Sequence, residues 1–205
     1  MKRKTTKLVA LFSLCALCLG GYMVSQFSSG IPTTENLPVE YLYADFAIDT
    51  NNPYEVVGFA DYYFIATVDE VVGTSYRNEV TLETEDGGQR KVSTPYTEYS
   101  VDVLRNIKGT LPEDESILLT KVGGVSRDEK SVVVYKNDMM LEPGKIYAMT
   151  ACVQQNGTLL VSGPNSCEIV ENDVNTIDSD EDGYGDYYAN EVTYDRERFE
   201  CIYSE

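Results

Sequence analysis

The sequence contains no histidine and no tryptophan among its 205 residues, and it has 16 lysines and arginines against 34 aspartates and glutamates. Without histidine, the chain lacks the usual general base near neutral pH and the commonest zinc ligand. This absence excludes hydrolases of the Ser-His-Asp and Cys-His types. It also restricts a metal site to oxygen ligands, which favours calcium. The sequence also contains no recognisable nucleophile motif, so we expect a protein without catalytic activity.

Basic residues are concentrated at the N-terminus, where Lys2, Arg3, Lys4 and Lys7 precede an uncharged, largely apolar run at residues 8–27. This order is typical of an export signal. The run is also long enough for a membrane anchor. We therefore expect the first 27 residues to be a signal peptide or an N-terminal anchor. Both alternatives place the rest of the chain at the cell surface or outside the cell.

The exported part is strongly acidic. Without residues 1–27 the formal charge is 12 minus 34, or −22, because that segment holds 4 basic residues and no acidic ones. Such a surface repels nucleic acid and anionic lipid head groups. We expect no nucleic-acid partner and membrane contact only through the N-terminal segment. The remaining candidates are an extracellular protein and a cell-wall glycan.

A short helix is predicted between a polar lead and the first strand. Residues 28–51 show no sustained hydrophobic period and are expected to form a spacer. Asn52-Pro53-Tyr54-Glu55 then supplies an N-cap residue, a proline at the first helical position and an acid at the third. This sequence predicts a helix that runs to Ala60.

Residues 62–170 alternate strand patterns with turn sequences such as Gly123-Gly124, Pro143-Gly144 and Asn156-Gly157. An exposed hairpin around Asp86-Gly87-Gly88 is predicted between the first two core strands. The many short strands predict an all-β sandwich or small barrel. The predicted strands cover 62–72, 96–104, 116–122, 131–135, 145–153, 158–162 and 167–170.

Three segments of this region together resemble bacterial exported domains with a five-stranded oligonucleotide/oligosaccharide-binding (OB) barrel, which are related in fold to tissue inhibitors of metalloproteinases and netrin-like modules. The segments are GFADYYFIATVDEVV, then YTEYSVDVLRNIKG followed by SILLTKVGG, and finally LEPGKIYAMTACVQQNGTLLVS. The resemblance implies a small antiparallel OB-like β-barrel over residues 52–170 with one short N-terminal helix. An irregular acidic C-terminal extension at 171–205 would follow it.

The same resemblance gives protease inhibition as an alternative function. Those inhibitors present a cysteine at the mature N-terminus that clamps the protease metal, and residues 28–60 contain no cysteine. The resemblance therefore implies the fold more strongly than the inhibitory activity. Our main expectation is an exported binding protein that recognises its partner through loops near 73–95 and 123–138, which are longer and more polar than a minimal barrel needs.

The sequence DSDEDGYGD at residues 178–186 has the spacing of a calcium loop. It resembles a single thrombospondin type 3-like repeat, with Gly183 at the sharp turn. Ala189 replaces the acid that closes an EF-hand loop, so we expect weak binding. The competing interpretation is a solvated acidic linker. The candidate calcium ligands are Asp178, Asp180, Asp182, the carbonyl of Tyr184, and Asp186.

The exported part has three cysteines, Cys152, Cys167 and Cys201, so at most one intramolecular disulfide can form. Cys152 with Cys167 is the nearest pair in sequence. Cys167 with Cys201 would tie the C-terminal segment back to the β domain. Three free thiols are the third alternative, and all three remain open at this point.

Overall fold

The structure is a computed structural model that describes residues 37–83, 86–170 and 183–204. It confirms the expected all-β class. Neither described helix has the length and apolar character needed to cross a membrane. In chain order the elements are β1 (Val39–Leu42), α1 (Pro53–Phe59), β2 (Tyr62–Glu83), β3 (Gln89–Lys108), β4 (Ile117–Val122), β5 (Gly124–Val125), β6 (Val132–Tyr135), β7 (Ile146–Val153), β8 (Leu159–Val161), β9 (Cys167–Ile169) and α2 (Tyr184–Ala189).

Helix α1 begins as the sequence predicts. The Asn52 side chain accepts a hydrogen bond from the main-chain N–H of Tyr54 at 3.1 Å. The Asn52 amide also donates to Glu55 at 3.2 Å. The first contact satisfies a main-chain donor that a helix start otherwise leaves without a partner, and the second holds the Asn52 side chain in place. The helix is therefore fixed in place immediately before the main sheet begins.

The main sheet has six strands in the order β2-β3-β4-β8-β7-β9, and β2 also pairs with β7. This additional pairing makes the sheet partly ring-like. β4 and β8 run parallel, whereas the other neighbours in the sheet are antiparallel. The predicted core strands are confirmed, with boundaries that differ by a residue or two except in β2 and β3.

The inward-facing side chains of the ring form the larger core. Tyr99, Val101 and Val103 alternate inward along β3, as their spacing predicts. The start of β2 is buried on both faces, because Tyr63 and Ile65 point outward into a second apolar layer with Val57 of α1. The larger core also includes Phe64, Ala66, Val68, Ile117, Leu119, Tyr147, Met149, Ala151, Leu159 and Val161.

A second, three-stranded sheet has the order β1-β6-β5. β1 pairs parallel with β6, from Val39 opposite Val132 to Leu42 opposite Tyr135. This strand lies inside the stretch that the sequence predicts to be a spacer. It was missed because three of its four side chains are exposed, so that no alternation marks it.

Strands β2 and β3 extend well beyond the core as a two-stranded ribbon, which we name the ribbon arm (residues 72–94). Pairing within the arm continues to Glu83 opposite Gln89. The predicted hairpin is therefore present, but its strands are continuations of the core strands. The register shifts between Arg77 and Val80, where Asn78 has a φ of 56°.

The described part of the C-terminal extension is irregular outside α2, in agreement with the sequence. Residues 190–204, which we name the C-terminal strap, run back over the domain. Val192 donates its main-chain N–H to Tyr54 at 3.0 Å, and Ile202 donates to Gly157 at 3.0 Å. Phe199, Cys201 and Tyr203 pack against the larger core. The strap is thus an integral part of the fold.

Three cations bind the main-chain carbonyls at the C-terminal end of α1. Lys108 donates to Val57 at 2.8 Å, and it also pairs with Glu191 at 2.5 Å. Arg196 donates to Phe59 at 2.8 Å, and Arg198 donates to Ala60 at 3.0 Å. The last carbonyls of a helix lack partners within the helix and carry partial negative charge, so this placement is favourable. Two of the three cations come from the strap.

Asp61 completes this cluster. Its carboxylate lies 2.7 Å from Arg196 and 2.5 Å from Arg198, and it accepts the main-chain N–H of Val153 at 2.7 Å. Burial by itself would raise the pKa of Asp61, but the hydrogen bonds from Arg196, Val153 and Arg198 outweigh it and lower that pKa. The carboxylate therefore stays charged and ties the strap to the start of β2.

We predict that Gly58→Ala destabilises the protein by about 1–3 kcal/mol, although alanine is the better helix former. A Cβ on Gly58 would overlap the main-chain carbonyl of Val192 in the strap. Urea unfolding measures the free energy, and limited proteolysis reports release of the strap. Gly185→Ala in α2 is the matched control, because nothing lies within 4 Å of its added Cβ. Equal effects of the two substitutions would contradict the contact.

We predict that Asp61→Asn lowers the free energy of unfolding by about 2 kcal/mol at pH 7. A carboxylate whose folded pKa is lowered stabilises the fold above its unfolded pKa, and this contribution is lost as pH falls through the folded pKa. The difference between wild type and variant should shrink steadily below about pH 4. Urea unfolding at a series of pH values measures it. A difference that does not depend on pH would contradict a contribution from the charged Asp61 carboxylate. The control Asp195→Asn, at an exposed residue, should change the free energy of unfolding little.

Candidate binding surface

The two loops that the sequence singles out for binding lie side by side. The first is the ribbon arm, and the second contains residues 123–131, which we name the side loop. Arg127 of the side loop pairs with Glu79 of the arm at 3.2 Å. Arg90 of the arm lies 3.5 Å from Asp128. The arm is thus supported along its length and does not project alone.

Two glycines bring the side loop close to the base of the arm. Gly123 and Gly124 have φ values of 122° and 144°, which L side chains rarely adopt. A Cβ on Gly124 would meet the hydroxyl of Thr97, which itself donates to the Gly123 carbonyl at 2.7 Å. Gly123 also donates its N–H to Pro95 at 2.9 Å. The Gly-Gly pair, predicted as a turn, therefore permits close main-chain packing.

The tip of the side loop is held by one serine. The Ser126 hydroxyl accepts the main-chain N–H groups of Lys130 and Ser131 at 3.2 and 3.1 Å and donates to Asp128 at 2.8 Å. The Ser126 N–H also bonds to the Ser131 carbonyl at 2.8 Å. The loop consequently presents Arg127 and Asp128 in a fixed orientation.

Aromatic rings at the base of the arm are covered by guanidinium groups. Arg127 lies over the ring of Tyr76 at 5.2 Å, and the Tyr76 hydroxyl donates to Val125 at 3.2 Å. Arg77 lies over Tyr96 at 4.2 Å and donates to Gln154 in the β7–β8 turn at 3.1 Å. Such contacts contribute about 0.5–1 kcal/mol each at exposed sites. They fix the arm on both sides.

The arm itself exposes apolar side chains. Val72, Val80 and Leu82 are about half exposed, at 50%, 51% and 50%. Val80 pairs directly with Val92, and Leu82 is two residues further along the same face. β7 pairs with β2 only through Thr67, and β4 pairs with β3 only from Thr97 onward. Over the described residues of the arm, both outer main-chain edges are therefore open.

The ionic contacts of this surface orient it more than they stabilise it. Hydrogen bonding and charge from Lys91, together with the charge of Arg127, lower the pKa of Glu79. The Ser126 hydroxyl is the main cause of the lowered pKa of Asp128, and Arg90 adds to it. Both acids are therefore charged at neutral pH. Exposed pairs of this kind contribute little to folding.

A separate cleft lies between residues 45–50, the end of α1 and the outer face of β7 and β8. It has a volume of about 330 Å³ and is lined by Phe46, Phe59, Cys152 and Leu160, among other residues. A smaller pocket of about 250 Å³ shares part of its wall. Burial raises the pKa of Cys152, so its thiol is protonated at neutral pH and is a poor nucleophile. The cleft therefore offers shape and apolar area without an activated group.

The three candidate disulfide cysteines are free thiols in the structure. Cys167 pairs with Met149 across β9 and β7. Cys152 lies three residues further along β7 and so points to the opposite face of the sheet, where it contacts Arg196 at 3.7 Å. Cys167 and Cys201 belong to the same buried core.

Only part of the predicted calcium loop can be placed, because Asp178, Asp180 and Asp182 lie outside the described residues. Gly183 has a φ of 79°, the left-handed conformation that its position in a sharp turn requires. Asp186 lies in the first turn of α2. Its two carboxylate oxygens accept hydrogen bonds at 2.8 Å, one from the Tyr54 hydroxyl and one from Asn190.

The contact with Asp186 raises the pKa of Tyr54, through the hydrogen bond first and the negative charge second. Tyr54 also packs edge-to-face on Tyr187, with centroids 5.5 Å apart. The end of the acidic segment is therefore attached to α1. Within residues 37–83, 86–170 and 183–204, no group of three or more acids or cysteines is arranged to hold a metal ion.

No family model matches the chain, and no curated protein matches it. The sequence indicated both the arm and the side loop. It gave no sign that the β7–β8 turn would contact the arm, since the Asn156-Gly157 pair indicates a turn but not the part of the fold beside which it lies. The candidate binding surface therefore consists of the arm, the side loop and this turn.

Proposed function

We propose that the chain is an exported binding protein, without catalytic activity, that recognises an extracellular protein through the ribbon arm and the side loop. The observation that carries this proposal is the exposure of Val80 and Leu82 on an arm that is held by contacts on two sides. Exposed aliphatic groups beside aromatic and arginine side chains are typical of protein interfaces. A surface that is already ordered also loses less entropy on binding.

We further propose that the ring-like sheet is an OB-like β-barrel. Three features support this topology: β2 pairs with both β3 and β7, β4 lies parallel to β8, and β8 lies between β4 and β7. OB barrels bind ligands with the loops that join their first to second and fourth to fifth strands. The ribbon arm and the Gln154 turn occupy those two positions, and the contact of Arg77 with Gln154 joins them.

A protein partner suits this surface better than a glycan does. Sugars stack on exposed aromatic faces, whereas the rings of Tyr76 and Tyr96 are each covered by an arginine. The open edges of the arm can accept an additional strand from a polypeptide. The mature charge of about −22 makes a basic or neutral protein surface the more favourable partner.

We predict that replacing residues 78–93 by Asn-Gly abolishes partner binding and leaves the core folded. Arg77 pairs with Thr94, so a two-residue turn can join them without a change of register. Chemical cross-linking on intact cells, followed by mass spectrometry, would identify proteins linked to the full chain and not to the shortened one. Urea unfolding checks the core, which should retain a single cooperative transition.

The double variant Val80→Glu, Leu82→Glu tests the apolar face of the arm more finely. It should reduce cross-linking at least tenfold, because charge replaces the apolar contact. The double variant Ile169→Glu, Val192→Glu is the matched control, since both side chains are exposed and belong to β9 and the strap, outside the arm, the side loop and the β7–β8 turn. Co-sedimentation with purified cell walls tests the glycan alternative. Retained cross-linking by the double variant would refute the protein-binding proposal.

We also propose that calcium orders the acidic segment, with Asp178, Asp180, Asp182, the Tyr184 carbonyl and Asp186 as ligands. The left-handed conformation of Gly183 supports a tight turn at the position such a loop needs. Attachment of Asp186 to α1 would transmit this order to the domain. A single incomplete loop of this kind binds weakly, on the order of 0.1–1 mM.

Calcium titration monitored by tyrosine fluorescence tests this site, because Tyr184 and Tyr187 adjoin the loop. We predict a saturable change near millimolar calcium that Asp180→Asn abolishes. Asp173→Asn is the matched control, since it removes one charge from the same acidic segment outside the motif. No change up to several millimolar calcium, or equal loss in both variants, would contradict a specific site.

A further inference from the structure

One lysine and one aspartate are buried together in the core. The side chains of Lys121 and Asp138 have exposures of 0% and 1%, and the lysine Nζ lies 2.9 and 3.0 Å from the two carboxylate oxygens. Among the described residues, no other ion pair has both side chains so completely enclosed. Removing two charges from water costs more than their attraction usually returns. The pair therefore calls for an explanation beyond simple stabilisation.

The position of Lys121 follows from the strand pattern. Ile117, Leu119 and Lys121 alternate inward along β4, so the lysine occupies a core position between two paired strands. Thr97 of β3 and Val161 of β8 are its neighbours in register. Asp138 reaches it from the turn after β6, in which the Asp138 N–H donates to Tyr135 at 3.0 Å. Both backbones are held, so the two side chains stay in contact.

Burial favours the uncharged form of the Asp138 carboxyl group, which amide chemistry requires. Burial raises the pKa of Asp138 even though the neighbouring Lys121 acts in the opposite direction. In such a dry site, transfer of one proton from the ammonium to the carboxylate leaves a neutral amine beside a neutral acid. The amine nitrogen is then within direct reach of the carboxyl carbon.

We propose that Lys121 and Asp138 condense to form an intramolecular isopeptide bond. The lone pair of Nζ attacks Cγ of the protonated Asp138 side chain, and a C–N bond forms. The C–OH bond then breaks, and the hydroxyl leaves as water with a proton from the amine. The net reaction releases one water and needs no oxidant, reductant or cofactor.

Two neighbouring groups are placed to assist this step. The main-chain N–H of Met139 donates to Oδ1 of Asp138 at 2.8 Å, where it would stabilise negative charge in the tetrahedral intermediate. The Ser166 hydroxyl lies 3.4 Å from Nζ and donates to the Gly163 carbonyl at 2.7 Å, so its oxygen accepts a hydrogen bond from the amine and orients Nζ toward Asp138. Both groups act on the reacting atoms directly.

The bond would anchor the side loop covalently. Residues 121 and 138 bracket the side loop, so their linkage closes it onto β4. Closing a loop by a cross-link reduces the entropy of the unfolded chain. The same linkage would fix Arg127 and Asp128 beside the ribbon arm even under force or partial unfolding. An exported protein gains resistance to unfolding by this means without a disulfide.

Tryptic digestion of the denatured, reduced full chain tests the proposal. Trypsin cannot cleave after an acylated lysine, so the linked protein should yield residues 109–127 joined to residues 137–145, lighter by one water than the two peptides together. An unlinked protein yields the linear peptides 109–121 and 137–145. Isotope-labelled standards of both linear peptides quantify the unlinked fraction. We expect this fraction to be small.

Recovery of more than half of the protein as linear peptides would overturn the proposal and leave an ordinary buried ion pair. The exposed pair of Lys145 with Glu142, 2.8 Å apart, is an internal control that should remain unlinked and allow cleavage after Lys145. Lys121→Arg and Asp138→Ala should abolish the branched peptide. The digest of the wild-type chain shows whether the isopeptide bond is present even if these variants fail to fold.

Discussion

The pairing of β2 with both β3 and β7 is the constraint on which the rest of the structure depends. From Tyr63 to Thr67 the strand has neighbours on both edges, and its side chains are buried or half-buried on both faces. One face fills the ring, and the other carries the layer formed with α1 and α2. Beyond Thr67 the partnership with β7 ends, and β2 continues with β3 alone. A single strand therefore organises the core and directs the arm.

The scarcity of cations determines how this acidic chain is held together. Residues 28–205 have 12 basic residues for 34 acids, so each cation has many competing partners. Lys108, Arg196 and Arg198 are used on the carbonyls of α1, where a charge also compensates the helix dipole. Arg77 and Arg127 cover tyrosine rings at the arm. Few cations of the described residues are thus left without a partner.

Local signals predicted much of this architecture, and long-range contacts account for what they missed. The Asn52 cap, the turn glycines and the inward alternation of β3 are properties of neighbouring residues, so the helix and core strands could be read directly. The parallel strand β1 and helix α2 have weak local patterns and depend on distant partners such as Val132 and Tyr54. SILLTKV was predicted as a strand, without an assignment of the side chains that face the core. The pairing of Lys121 with Asp138 was not predicted, because only the fold brings the two residues together.

The ordering of the side loop and the support of the arm both follow from the way β4 leaves the ring-like main sheet. β4 pairs with β3 as far as Lys121, which lies opposite Thr97. The Gly123-Gly124 pair then turns the chain along the base of the arm. The chain returns through β6 to Asp138, which is drawn into the core by Lys121. Both ends of the side loop are therefore fixed by buried groups, whereas its exposed tip needs only the Ser126 bonds. Buried contacts at the two ends of the side loop therefore order this exposed surface, because surface ion pairs alone are too weak to hold it.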